Sequence, residues 1–161
     1  LLEKPGGVVE MTRGFSVGSY IDLATLNIVG VQHRPAASFR LRTMDEDDFV
    51  IYAGFLWSFV CIWRCDIESA PGYWTAYVNG PLGTDTFPTG VPVTREQEYE
   101  LDIQVAPGLA RFFLNGSLMA VSTKVPQTSD LFGLHLRFGQ MGSLAATPKL
   151  ECDYAGLMAA R

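Results

Sequence analysis

Apolar and polar residues alternate along most of this chain with a period of two. In segment 134–138, for example, Leu134, Leu136 and Phe138 fall on one side and His135 and Arg137 on the other. This period is typical of strands that are buried on one face, whereas amphipathic helices repeat about every 3.6 residues. We predict strands at 15–23, 25–31, 37–43, 49–56, 58–67, 72–79, 97–105, 110–114, 118–123, 131–138 and 149–157.

Turn-forming residues separate these segments. Asn115-Gly116 predicts a type I′ hairpin turn, which needs positive φ at both central residues. Segment 106–108, Ala-Pro-Gly, predicts a second turn. The polar segment 80–97 carries three prolines, and we interpret it as a loop that covers a sheet edge or borders a binding face. Many short strands at regular spacing predict an all-β, antiparallel two-sheet sandwich.

Composition narrows the class of protein. The chain has 161 residues, of which 48% are hydrophobic and 18% charged, so we expect one domain spanning 1–161 with a sizeable core. Its net charge of −5 and the lack of a large Lys/Arg cluster argue against a nucleic-acid partner. No apolar run reaches the roughly 18–20 residues of a membrane span, so we expect no membrane insertion. Because the chain starts at Leu1 rather than at a methionine, we expect a piece of a longer protein.

The three cysteines predict free thiols. In an extended strand Cys61 and Cys65 would lie about 13 Å apart, too far for a disulfide, which needs Cα atoms within roughly 7 Å. A bridge from Cys152 to one of them would leave an odd thiol. We therefore expect free buried cysteines, and no zinc site, because the chain has no Cys-x-x-Cys motif.

Two consecutive segments resemble a known superfamily. Segment 99–105, Tyr-Glu-Leu-Asp-Ile-Gln-Val, precedes segment 111–120, Arg-Phe-Phe-Leu-Asn-Gly-Ser-Leu-Met-Ala. Together they resemble the concanavalin A-like lectin/glucanase superfamily, including laminin-G-type modules, and segments 39–42, 49–55 and 150–157 fit the same pattern. The resemblance implies a concanavalin A-like jelly roll. Members include lectins, glycan-hydrolysing enzymes, adhesion modules and virion domains, so the fold alone implies no chemistry.

The enzymatic branch of that superfamily carries three alternating acidic residues on one strand. Segment 64–68 resembles this motif, but Arg64 stands where the first glutamate belongs and only Asp66 and Glu68 follow it. Segment 100–104 ends in Gln104 and resembles the back sheet rather than the active-site face. Each segment thus lacks one of the three acidic residues of the complete motif, so we expect no enzyme.

Aromatic strands suggest a glycan-binding face instead. Sugars offer apolar C–H faces and hydroxyl rims, which suit an aromatic plate surrounded by polar groups. The candidate ligand-binding residues are Trp63, Arg64, Asp66, Tyr73, Trp74, Tyr77 and Asn79. The alternative for each aromatic residue is a place in the sandwich core. The histidines His33 and His135 are interpreted as structural.

An acidic segment offers the candidate metal site. Asp45, Asp47 and Asp48, with Glu46 between them, supply the oxygen ligands that calcium prefers. Calcium is therefore the one cofactor to consider, and the alternative is a solvated loop between two strands.

Three functional hypotheses follow. The first is a non-catalytic recognition module that binds glycan or mediates adhesion. The second is a structural or interaction domain with a protein partner, in an oligomer or larger assembly such as a phage virion surface. The third is a divergent glycan hydrolase. Localisation is undetermined apart from the virion or cell surface that the first two hypotheses suggest.

Overall fold

The structure is a computed structural model that describes residues 2–3, 9–12, 20–25, 29–44, 49–56, 59–67, 72–129, 132–140 and 149–159. Strands dominate these residues. They are β1 (Leu2–Glu3), β2 (Val9–Thr12), β3 (Tyr20–Ala24), β4 (Ala36–Thr43), β5 (Phe49–Leu56), β6 (Val60–Ile67), β7 (Tyr73–Gly80), β8 (Gly83–Pro92), β9 (Glu98–Ala106), β10 (Leu109–Leu114), β11 (Ser117–Ser122), β12 (Gly133–Gln140) and β13 (Lys149–Met158).

The strands form two antiparallel sheets. A seven-stranded sheet has the order β1-β2-β13-β4-β9-β10-β11, and a six-stranded sheet has the order β3-β12-β5-β6-β7-β8. Their inner faces share one hydrophobic core. The all-β, two-sheet antiparallel sandwich predicted from the period of two is therefore confirmed.

Large aromatic side chains fill the space between the sheets. Trp63 on β6 is 0% exposed, and its indole Nε1 donates a hydrogen bond of 3.1 Å to the backbone oxygen of Asp102 on β9. This bond joins the two sheets directly. Trp74 on β7 is also 0% exposed and packs edge-on against Tyr99 of β9, with ring centroids 5.5 Å apart.

Two segments differ from the predictions. Segment 25–31 is not a strand where it is described: Val29 makes an isolated bridge to Phe132, and a 3-10 turn begins at Val31. The prolines of segment 80–97 suggested a loop, but β8 runs through it from Gly83 to Pro92. Proline is tolerated there because β8 is an edge strand, with one side outside the ladder.

The predicted hairpin turn and the predicted free cysteines are confirmed. Asn115 and Gly116 have φ of 50° and 75°, as a type I′ turn requires. Cys61, Cys65 and Cys152 are free and buried. Burial raises the pKa of the Cys152 thiol to about 11. Within the described ranges, no helix is long and apolar enough to cross a membrane.

Candidate active site

The six-stranded sheet presents one face to the core, and we call its opposite face the outer face. On β12 the side chains of Leu134, Leu136 and Phe138 belong to the core. Strand alternation therefore places His135 and Arg137 on the outer face, as the sequence predicted.

Four charged or phenolic residues lie in register across this face, and we call them the cross-strand row. Asp22 on β3 pairs with Arg137 on β12, which pairs with Tyr52 on β5, which pairs with Arg64 on β6. Neighbouring strands are about 4.8 Å apart, so the two arginines flank Tyr52 at about one strand spacing each.

Asp22 holds two basic side chains at one end of the row. Arg137 donates from Nε to Oδ1 at 2.8 Å and from Nη2 to Oδ2 at 3.1 Å, a bidentate pair that fixes the guanidinium plane. His135 Nε2 lies 3.3 Å from Asp22 Oδ1. A single carboxylate thus positions both an imidazole and a guanidinium.

The protonation states at this cluster follow from burial and charge. Burial by itself raises the pKa of Asp22, but the hydrogen bonds and charges of Arg137 and His135 outweigh it and lower the pKa below the ordinary value. Burial lowers the pKa of His135, with partial opposition from Asp22. At neutral pH Asp22 is ionised and His135 is neutral.

Both arginines of the row also contact tyrosine rings. The Arg137 guanidinium lies 5.0 Å from the ring centroid of Tyr20, and that of Arg64 lies 5.5 Å from the ring centroid of Tyr77. These distances are within the range of cation–π attraction. The tyrosines extend the aromatic surface on both sides of the row.

The outer face is not flat. Val50, Ile62 and His135 lie on it by register but are 0%, 3% and 4% exposed, so other groups overlie them. The side chains of Asp22 and Arg137 remain 38% and 33% exposed. His135 therefore lies buried beneath Asp22, whereas the side chains of Asp22 and Arg137 are accessible to a ligand.

The prediction that Trp63 and Trp74 form a sugar-binding plate is wrong, because both rings are fully buried between the sheets. The period of two explains the error. Trp63 and Arg64 are neighbours on one strand and point to opposite faces, so they cannot serve one ligand together. Both tryptophans belong to the sandwich core, which was the alternative interpretation of these residues.

The other predicted ligand residues have different outcomes. Arg64, Tyr73, Tyr77 and Asn79 lie on the half-buried or exposed positions of β6 and β7, opposite the buried ones. Asn79 Oδ1 accepts a hydrogen bond of 3.0 Å from Thr84 on β8. The side chain of Asp66 lies outside the described residues. For these residues a binding role stays a prediction.

The predicted calcium ligands Asp45, Asp47 and Asp48 also lie outside the described residues. Within the part of the chain that the structure describes, no group of three or more His, Cys, Asp or Glu side chains is arranged to hold a metal ion.

Sequence reasoning missed Asp22 and Tyr52. Asp22 is 115 residues from Arg137, and the pairing of β3 with β12 joins them. Tyr52 sits in the nearly continuous apolar run of β5, where alternation is hard to see. The sequence did contain one indication of the site, because His135 and Arg137 fall on the same face of a recognisable strand.

Neither a protein-family model nor a curated protein sequence matches this chain. Solved structures with the same fold do. The laminarinase from Rhodothermus marinus is 14% identical with a TM-score of 0.77, and the match covers 96% of this chain and 78% of that one. The endo-β-1,3-glucanase from Pyrococcus furiosus is 16% identical with a TM-score of 0.67, covering 95% and 75%. A family 7 alginate lyase, A1-II′, is 11% identical with a TM-score of 0.70, covering 98% and 82%.

The fold is therefore the concanavalin A-like jelly roll, as the resemblance implied. More particularly, it is the form of that fold found in glycanases and alginate lyases. At identities of this size the similarity establishes the fold.

Two functional expectations are corrected by these comparisons. The non-catalytic recognition module, and with it the expectation of no enzyme, is contradicted, because the similar structures are those of laminarinase, glucanase, transglycosylase and alginate lyase. The comparisons favour the glycan hydrolase alternative over that module. The lectin, adhesion and virion hypotheses receive no support from them, and a protein partner or oligomer stays a prediction.

Proposed function

We propose that this chain is a glycan-cleaving enzyme whose substrate lies across the outer face of the six-stranded sheet. The observation that carries the proposal is the cross-strand row, which brings Asp22, Arg137, Tyr52 and Arg64 into register on four adjacent strands. Such a concentration of polar groups on one face of a sandwich suits chemistry better than packing.

The row is organised before any substrate arrives. Asp22 fixes Arg137 through two hydrogen bonds, and His135 supports Asp22 from a buried position. Groups held in place in this way stabilise developing charge without reorganising during the reaction. Arg137 therefore has the role of an electrostatic stabiliser, and His135 that of a positioning residue.

Aromatic side chains give the same face an affinity for sugar rings. Tyr20 is 38% and Tyr73 is 47% exposed, and Tyr77 lies half-buried beside Arg64. A glycan chain crossing the strands would meet phenol rings on both sides of the row. A glycan is accordingly the partner that we propose.

The test is cleavage of polysaccharides by the purified chain. The panel contains laminarin and other neutral glucans together with acidic polysaccharides, and the measured quantity is the number of new reducing ends. We expect release from at least one polysaccharide and a loss of about a hundredfold in kcat/KM in Arg137→Gln. Arg111→Gln makes the same substitution at an exposed position of β10 in the other sheet, and its activity should equal that of the wild type.

Two outcomes would contradict the proposal. One is the absence of new reducing ends from every polysaccharide in the panel. The other is an Arg137→Gln variant that keeps its fold, as judged by circular dichroism, and cleaves as fast as the wild type.

A further inference from the structure

The seven-stranded sheet carries an exposed aromatic ring on the face that points away from the core, which we call the back face. This ring belongs to Tyr154 on β13, which is 51% exposed. Cys152, two residues earlier, belongs to the core, and in a regular strand both side chains would point the same way. A bulge at Asp153 shifts the register of β13 against β4, so Tyr154 pairs with Arg40 and points outward.

The Tyr154 side chain lies down along its strand and covers Gly156. A Cβ at Gly156 would collide with the phenol oxygen and with ring carbon Cζ of Tyr154. Gly156 is not among the glycines with positive φ, so the ring uses the missing side chain rather than a special backbone conformation. One side of the ring therefore rests on the sheet, and the other side is open to solvent.

A polar cavity of about 260 Å³ adjoins this ring on the back face, and its walls hold each other in place. Arg40 donates from Nη1 to Oδ2 of Asp153 at 3.2 Å, and its Nε lies 3.6 Å from Oε1 of Glu98. Arg42 donates to the carboxylate of Glu151, whose side chain is 6% exposed. The cavity is lined by Arg40, Leu41, Arg42, Glu98, Glu151 and Asp153.

The mixture of charges in this cavity indicates which ligand fits it. Its lining contains two guanidinium groups and three carboxyl groups, so an anion would meet the carboxylates and a cation the guanidinium groups. A hydroxyl group donates to a carboxylate and accepts from a guanidinium, so it satisfies both. The side chains of Arg40, Glu98 and Asp153 are 48%, 62% and 39% exposed, which leaves them accessible to such a ligand.

Sugars combine the two properties that the back face requires. Their hydroxyl groups suit the mixed lining of the cavity, and their apolar C–H faces suit the open side of the Tyr154 ring. We propose that the back face is an accessory glycan-binding site, in which Tyr154 stacks on an uncharged sugar residue while the adjoining cavity binds hydroxyl groups. This inference rests on the proposed function only for the class of ligand.

The accessory site is separate from the outer face. The two sheets pack about 10 Å apart, so a sugar on the back face does not touch the cross-strand row on the other sheet. The outer face cleaves the glycan, and the back face holds another part of the same polymer or a second chain. Binding at the two faces can therefore be measured independently.

The test is a titration followed by nuclear magnetic resonance of the backbone amides. The probes are the uncharged hexasaccharides laminarihexaose, cellohexaose and mannohexaose, with an alginate hexasaccharide as the acidic counterpart. New reducing ends are measured in the same samples. We expect at least one uncharged hexasaccharide to shift the amide signals of Arg40, Glu98 and Tyr154, and the alginate hexasaccharide to leave them in place.

The failures of the two proposals are distinguishable. If no hexasaccharide shifts the back-face signals, the accessory site is overturned; shifts confined to the outer face at the same time leave the proposed function standing. Back-face shifts caused by the alginate hexasaccharide alone would overturn the uncharged ligand. Back-face shifts with uncharged hexasaccharides support the accessory site even if no polysaccharide is cleaved, a result that would contradict the proposed function alone.

Variants test the role of the ring. Tyr154→Ala should raise the Kd of the hexasaccharide about tenfold because it removes the stacking surface, whereas Tyr154→Phe keeps the ring and should retain most of the affinity. Gly156→Ala removes no contacting group but displaces the ring, so it should also raise Kd. The control is Leu118→Ala on β11, a 53% exposed position of the same sheet four strands from β13, which should leave Kd unchanged.

An aromatic ring over a glycine also stabilises a sheet, and the same variants separate that role from binding. The unfolding free energy of each variant is measured in urea beside its Kd. A Tyr154→Ala variant that is folded, less stable and unchanged in Kd would assign the ring to packing alone and overturn the accessory site. A rise in Kd that is equal in Leu118→Ala and Tyr154→Ala would overturn the role of Tyr154.

Discussion

The two core tryptophans allow a sharp test of how the sandwich is held together. Trp63 and Trp74 are both 0% exposed, and each packs edge-on against an aromatic ring 5.5 Å away on the facing sheet. They differ at the indole nitrogen. Nε1 of Trp63 donates to the Asp102 oxygen, whereas Nε1 of Trp74 has no hydrogen-bond partner among the described residues.

Replacement of each tryptophan with phenylalanine removes the same atoms, but at Trp63 it also removes a hydrogen bond. Both variants lose aromatic area and leave a cavity, so both are destabilised. Trp63→Phe also loses a buried hydrogen bond, worth about 0.5 to 1.5 kcal/mol, whereas Trp74→Phe removes a buried unsatisfied N–H whose desolvation costs about 1 to 3 kcal/mol. We therefore expect Trp63→Phe to be the more destabilising by about 2 kcal/mol, which corresponds to roughly 4 to 8 °C in Tm for a chain of this size.

Urea unfolding followed by far-ultraviolet circular dichroism measures the difference without depending on tryptophan fluorescence. The dependence of the unfolding free energy on urea should be the same in both variants, because the surface exposed on unfolding scarcely changes. Tyr154→Phe, at an exposed position, controls for aromatic substitution in general. Equal destabilisation of the two variants, or a larger effect in Trp74→Phe, would refute the role assigned to the bond between the sheets.

Two further predictions concern the strands that carry the site. Gly54→Ala should destabilise the fold by about 1 to 3 kcal/mol in the same urea assay, since φ is 153° and a Cβ there would collide with the Cys61 carbonyl oxygen; an unchanged midpoint would contradict this. Asp22 has a pKa below its ordinary 3.8, so its contribution is present above that pH and is lost as pH falls through the lowered value. Asp22→Asn should therefore lower the unfolding free energy by about 0.5 to 1 kcal/mol near neutral pH, a figure reduced for its partial exposure, and by less in acid. Thermal melts at several pH values measure this, and a deficit that is constant or grows in acid would exclude it.

The sequence predicted the strands well where alternation was uninterrupted. Strand β5 was predicted at its observed bounds, and the Asn115-Gly116 turn at its observed φ values, because both depend on local patterns. Strand β8 was missed because its prolines obscured an alternation of Phe87 and Val91 toward the core. Whether a proline-containing segment pairs depends on its being an edge strand, which is a property of the whole sheet.

The site was less predictable than the fold for a related reason. A face can be assigned from one strand alone, and the shared face of His135 and Arg137 was. Which residues of other strands join His135 and Arg137 on that face depends on which strands are neighbours and in what register. The pairing of β3 with β12 brings Asp22 there from the other end of the chain. The error of placing Trp63 and Arg64 in one binding site had a different cause. Alternation within a single strand already puts these two neighbours on opposite faces.

The charge of the side chain at position 64 determines which kind of ligand suits the centre of the outer face. The same jelly roll is present in a laminarinase, whose substrate is neutral, and in an alginate lyase, whose substrate is anionic, so the fold does not choose between them. Segment 64–68 resembles the glucanase-type motif, and by that resemblance a glutamate would stand at position 64, which pairs with Tyr52 in the register of β5 and β6. Its replacement by a guanidinium inverts the charge at the centre of the outer face. A neutral glucan gains nothing from that inversion, whereas an anionic glycan would gain a counter-ion at the centre of this face.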